Sequence, residues 1–519
     1  MLTTHASAAP AHPRQRHALW PLHGIAAAGA AAGLALLAAC SPEPPAPPPS
    51  PDEIAAGLRP AVQLEGEEPM VFSLEERMAH YNVPGVSVAV LDGGEVAWAR
   101  GWGIADLEAG TPVTPETLFQ AASISKPVAG LAAMTLVSDG TLALDAPVNE
   151  FMTSWRVPDN EFTADSAVTL RGILTHSAGL TVWGFPGYRK DEPFGDQELA
   201  SNVQVLDGLG NTDPVRVYKV PGTSWQYSGG GYTVMEQLLE DATGKPFEEV
   251  ARERVLDPAG MTRSTYAQPL LEARWAEAAR GHREDGSEVE GEWHNYPEQA
   301  AAGLWTTPTD LLTLSAHLLG ILDGSVTDGI LSREAVEAVM TPNHPGDDAF
   351  RGWGLGFALN GEGEARTFGH GGSNEGFKAQ WIVYPERGQG VAVMTNGDRG
   401  SALAAEIIRS VSEAYGWPGH KSEIRAARAL TPDEAAAYAG SYLLPDSELT
   451  VVVRAGDGVL EADVPGQGTV VLHAAAGEAD VFFDRTDSQV LTFRRGEDGA
   501  ITALATDSGL ELVRQAPEA

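Results

Sequence analysis

The sequence predicts an α+β fold followed by a small all-β region, and two observations carry that reading. Strand-like runs at Gly85 to Leu91 (GVSVAVL) and Glu95 to Ile104 (EVAWARGWGI) recur far downstream at Lys378 to Tyr384 and Gly390 to Thr395, with helical segments between. Two groups of strands so distant in sequence that close one sheet define an α+β arrangement. From Glu448 onward, short β-rich runs alternate with Gly456-Asp-Gly458, Gly466-Gln-Gly468, Gly496-Glu-Asp-Gly499 and Asp507-Ser-Gly509. Turn signals at roughly ten-residue spacing predict a small barrel or sandwich. With 519 residues and 43% hydrophobic content, the chain has material for two or three domains and at least one large core.

The elements follow in order. Arg14 and Arg16 precede a short uncharged apolar run, Ile25 to Ala39, which reads as an export signal too short to span a bilayer comfortably. It ends in Leu37-Ala38-Ala39-Cys40, and Cys40 is the only cysteine, so no intramolecular disulfide can form. The segment Ser41 to Pro51, rich in proline, reads as a semi-rigid tether. Ser73 and Glu76 form a capping-box pair that starts a helix. The two strands beginning at Gly85 are joined by Asp92-Gly93-Gly94. A helix is expected from about Ser123 to just before Gly140, and another over Leu170 to Thr175 with Gly179 as its stop. Tyr232 to Glu240 is helical, and Thr307-Pro308 caps a helix running to about Leu319. A last helix covers Ala402 to Tyr415.

The formal net charge of −37 repels phosphate backbones and excludes a nucleic-acid role. Lysine is scarce, the others being Lys190, Lys219, Lys245, Lys378 and Lys421, yet Lys126 sits inside FQAASISKPVAGLAAM. Residues three apart on a helix share a face, so Ser123 and Lys126 point into the same space, whereas Ser125 projects away. A serine hydroxyl is a poor nucleophile until a base takes its proton. A lysine desolvated among Ala121, Ala122, Val128, Ala129 and Leu131 loses affinity for its proton and can be that base. Downstream, PGTSWQYSGGG presents Tyr227 on an irregular segment, where a phenol can relay protons. FGHGGSNEG carries His370 on a glycine-lined strand edge whose N–H groups can face an oxyanion. His176, in LTHSAGL, reads as a turn residue at a helix end. Trp225, Trp305 and Trp353 read as core or cleft lining. His282, Glu288, Glu290 and His294 lie in an acidic loop without compact ligand spacing, so no metal is expected.

Together, Ser123-Ile-Ser-Lys126, Tyr227-Ser-Gly229 and His370-Gly-Gly372 resemble the three motifs of the serine β-lactamase and penicillin-binding protein family, over roughly Gly85 to Tyr415. The resemblance implies a β-lactamase/transpeptidase-like fold, an antiparallel sheet flanked by helices plus a helical subdomain. It implies Ser123 as nucleophile, Lys126 as its base, Tyr227 as proton shuttle and the Ser123 and Ser373 N–H groups as oxyanion hole. Gly229, Gly371 and Gly372 would then border the substrate. Gly229 stands where the family's class C branch has asparagine, and His370 where it has lysine. A histidine is mostly neutral at pH 7 and holds a carboxylate less well. His-x-Gly is similar to the esterase-like and D-aminopeptidase-like members, whose C-terminal lipocalin-like appendage the β-rich region resembles.

The expected organisation is a lipoprotein signal over 1–40, a tether over 41–60, a serine hydrolase domain over 61–418 and an all-β domain over 430–519. LAAC resembles the lipobox of bacterial lipoproteins, which implies acylation of Cys40 and a membrane-anchored, periplasm-facing place in the cell envelope. No cofactor is expected, and the expected partner is a small ester, amide or peptide. The other reading is a catalytically idle envelope protein that binds peptidoglycan fragments or a protein partner.

Overall fold

The computed structural model describes residues 49–516, apart from 198, 344–351, 466–467 and 487. Cys40 and the export segment lie outside the described residues. An eight-stranded antiparallel sheet organises the larger part of the molecule. Its strand order is Thr111–Pro112, Glu95–Asp106, Gly85–Asp92, Gln389–Thr395, Phe377–Tyr384, Thr367–Asn374, Ala358–Asn360 and Gly352–Trp353. The sequence-distant groups join where Val88 faces Val393 and Val90 faces Val391.

Alternation along these strands sorts side chains between two cores. Ala89, Leu91, Ala392 and Met394 face a core that includes Leu311, Leu314 and Leu318 of the helix Pro308–Asp323. Val86, Val88, Val90, Val391 and Val393 face Leu403, Ile407 and Val411 of the helix Gly400–Ala414. The helix Ser125–Ser138 is buried on nearly every side and lies in the first core, with Lys126 as its one charged side chain.

The C-terminal region is a nine-stranded antiparallel sheet closed by pairing of Gly468–Ala475 with Val481–Asp484. Closure removes the open edges of a small sheet. Tyr442, Leu460, Leu472, Phe482, Phe493 and Leu504 fill its interior. It shares one compact unit, Pro48–Ala519, with the larger sheet.

Three expectations are corrected. The tether does not reach residue 60: Pro51–Ala56 is a helix, because Ser50 and Glu53 form a capping box, Pro51 takes the first turn and Ile54 is buried. At Ser73 only half of the capping box is made, the side chain accepting the Glu76 N–H. The helix Leu170–Leu174 is stopped by His176 and not by Gly179, since His176 itself adopts φ +57°. Its N–H donates to Ile173 O and that of Ser177 to Gly172 O, the paired bonds of a Schellman turn with histidine in the usual glycine position.

Candidate active site

The strand Phe119–Gln120 pairs with Trp305–Thr306 and delivers the chain to Ala122, which adopts φ +50°. A non-glycine residue there costs about 1–2 kcal/mol. The sharp bend starts the 3₁₀ turn Ala122–Ile124 and presents Ser123 at the head of the helix Ser125–Ser138. Ser125 locks the bend from behind, donating to Ala122 O (2.5 Å) and accepting from the Leu304 N–H (2.9 Å).

Lys126 is 2% exposed. Its Nζ lies 3.0 Å from Ser123 Oγ and 2.8 Å from Ala301 O, with no carboxylate partner. Burial lowers its pKa to about 7, so near neutrality much of the amine is free to accept a proton. The same Nζ stands 5.0 Å from the Tyr227 ring centroid. Burial pushes the Tyr227 phenol above its ordinary pKa, and the Ser123 hydroxyl partly offsets this. The phenol therefore stays protonated near neutrality.

The strand Thr367–Asn374 forms the opposite wall. A Cβ on Gly372 would fall 2.2 Å from Ala121 O, so only glycine lets this strand approach the serine bend so closely. Ser373 and Ser123 line one cavity of about 300 Å³ with Tyr227, Trp353, Ala358, His370, Gly371, Gly372, Gln380 and Ser401. The first bond of the 3₁₀ turn runs from Ile124 N–H to Ala121 O, so the Ser123 N–H has no acceptor within the helix. His370 Nδ1 sits 2.5 Å from Gly371 O and therefore carries its proton there. Burial and the neighbouring Lys126 lower the His370 pKa to about 3, so the ring is neutral at any working pH. This wall offers a substrate carboxylate no cation.

Ser123, Lys126, Tyr227, His370, Gly371, Gly372 and Ser373 thus converge. Gly229 stands apart from the cavity lining: it begins the helix Gly229–Thr243, and a Cβ there would fall 2.8 Å from a Phe185 ring carbon. Trp353 lines the cavity, whereas Trp305 is core, packed against Trp293 and Phe377. His282 bonds Asn396 O and His294 lies near Pro186 O and Glu375. Among the described residues no group of three or more His, Cys, Asp or Glu side chains could hold a metal.

Sequence reasoning missed two supports. Asn374 Nδ2 donates to Gln120 Oε1 (2.8 Å) and Ala302 O (3.2 Å), tying the Ser373 strand to the serine strand and to the segment that receives Lys126. Its signal was its place in FGHGGSNEG. His176 was the other, found 4.3 Å from the Tyr227 ring.

Residues 73–415 match the Beta-lactamase family, and the chain belongs to that family. Its relatives are named for several activities. It is 23% identical to penicillin-binding protein 4* of Bacillus subtilis over 82% of this chain and 93% of that protein. Identity to esterase EstB of Burkholderia gladioli is 28% over 62% of this chain and 88% of the esterase. Identity to the D-aminopeptidase of Brucella anthropi is 25% over 84% and 76% respectively. In fold it is similar to the octameric penicillin-binding protein homologue of Pyrococcus abyssi, with a TM-score of 0.59 and 24% identity over 85% of this chain and 98% of that one. The chain is a β-lactamase-family hydrolase.

Proposed function

We propose that the protein is a serine hydrolase that acts through an acyl-enzyme on esters or amides lacking a carboxylate that must be held at His370. The observation that carries this is Lys126 Nζ at 3.0 Å from Ser123 Oγ, buried and unpaired with any acid. Neutral Lys126 takes the Ser123 proton as Oγ forms its bond to the carbonyl carbon. The oxyanion is received by the Ser123 and Ser373 N–H groups. Lys126 and Tyr227 return the proton to the departing alkoxide or amine as the C–O or C–N bond breaks. A water, deprotonated by the same pair, then releases the acid and restores the Ser123 hydroxyl. Relatives named esterase and D-aminopeptidase support this substrate class.

Labelling with a fluorophosphonate probe and mapping of the adduct tests the assignment. Modification is expected at Ser123 and lost in Ser123→Ala; an adduct elsewhere removes the assignment. Short-chain nitrophenyl esters, D-amino-acid amides and a chromogenic cephalosporin then separate the activities, the first two being expected substrates. Silence on all three, with tight muropeptide binding, favours the idle binder. Anchoring in the cell envelope through an acylated Cys40 belongs to the same proposal: labelling by a fatty-acid analogue is expected, and its persistence in Cys40→Ser refutes it.

A further inference from the structure

We infer that His176 is the positioning residue that holds the Tyr227 phenol over Ser123 and Lys126. This rests on the reading of Tyr227 as the proton carrier. His176 grips both neighbours of Tyr227. Its carbonyl accepts the Gln226 N–H at 2.8 Å, and its ring Nδ1 accepts the Ser228 N–H at 3.1 Å. Between those two bonds its ring lies on that of Tyr227, with centroids 4.3 Å apart and planes inclined by 33°. On another side it meets Trp353, a wall of the cavity, at 4.8 Å and 72°. One residue thus holds the phenol's segment from both sides, its backbone carbonyl before Tyr227 and its ring against and after it.

The backbone shows that the residue type matters. His176 is 2% exposed and occupies the left-handed turn position that glycine fills without strain. A backbone N–H facing Nδ1 leaves that atom as acceptor, which places the ring proton on Nε2. Burial, together with nearby Lys126 and His370, disfavours a second proton on the ring, which leaves Nδ1 as the acceptor near neutrality. A residue in this conformation persists where the surrounding structure holds it. His176 is not among the residues that line the cavity. Its action is exerted through Tyr227.

The test uses the full chain and one nitrophenyl ester, with thermal midpoints recorded for each variant. His176→Asn keeps an acceptor for Ser228 and a residue at ease with positive φ. His176→Phe keeps a ring against Tyr227 and removes the acceptor. His176→Phe is expected to lower kcat about a hundredfold with KM nearly unchanged, as small misplacements of reacting groups do. His176→Asn is expected to recover most of that loss. In a Tyr227→Phe background, His176→Phe is expected to cost less than about threefold, because the group it misplaces is already gone. Equal losses in both backgrounds overturn the inference. A crystal structure of His176→Phe decides independently of turnover: the phenol is expected to leave Ser123, and a phenol still in place overturns it. Activity surviving in Ser123→Ala would instead remove the serine-hydrolase reading, while the phenol's position would still decide this one.

Discussion

The larger sheet and the C-terminal barrel are both antiparallel, yet they treat buried polarity in opposite ways. The first buries Lys126, His176, His370 and Glu298 in low-dielectric surroundings, and His176 Nε2, His370 Nε2 and both Glu298 oxygens have no hydrogen-bond partner. It also places Ala122, His176 and Val182 at positive φ. Among the described residues of the barrel, no buried side-chain polar atom is left unpaired; Tyr442 Oη, for example, donates to Tyr438 O at 2.6 Å. Its charges pair near the surface, as in Arg495 with Asp480 and Arg494 with Glu511. Its positive-φ residues are the short polar Asp446, Asp480 and Ser488. The unpaired buried polar atoms thus lie in the larger part, and those of His176 and His370 stand beside the Tyr227 ring.

That contrast can be broken or sharpened by experiment. Ser123→Ala and Lys126→Arg are each expected to lower turnover by about a thousandfold or more. The arginine cannot surrender a proton, so its loss should persist at every pH. In the unaltered protein, kcat/KM is expected to rise with pH through about 7 as the Lys126 amine loses its proton; a rate flat from pH 5 to 9 would sink that role. Phe493→Ala should remove about 3–5 kcal/mol of stability by emptying the barrel core, read from denaturant unfolding, with kcat per folded molecule unchanged. A parallel loss of kcat would erase the division of labour.

Gly372→Ala pushes a methyl into Ala121 O and should cost about 1–3 kcal/mol, with slower fluorophosphonate labelling than Phe493→Ala at equal stability. A pH-dependent effect is expected at Glu298, whose burial raises its pKa from 4.5 to about 8. The native state holds that proton more tightly than the unfolded chain does. The contribution is therefore full below about pH 4.5 and lost as pH rises through about 8. Glu298→Gln should gain stability relative to the unaltered protein across that window, by at most a few kcal/mol. Lys126, lowered by burial, contributes the opposite slope from about 7 to 10.5, so only the difference between the two proteins isolates Glu298.

What could be read in the sequence was whatever has a short period or a local pair. The strand GVSVAVL, the turn at Gly456-Asp-Gly458 and the three-residue spacing of Ser123 and Lys126 were all legible, and the structure carries each of them. What was not legible depends on meetings between distant segments. His176 is 52 residues from the Ser228 N–H it accepts, and Asn374 is 254 from Gln120. Nothing in LTHSAGL indicates that the loop bearing Tyr227 will close over it. The same holds for Gly229: a motif position suggested a substrate contact, and only the folded chain shows Phe185 against it.

A short strand near the first described residues meets segments close to the last ones. Val62–Leu64 lies parallel to Glu423–Arg425, Val62 N–H donates to Arg485 O, and Ala61, Val62 and Leu64 share a cluster with Ala475 and Phe483. The chain is thereby buckled like a belt. Cutting it after Trp417 would not release a self-sufficient enzyme but would bare an apolar strand with unpaired amides, a surface on which truncated copies would stick to one another.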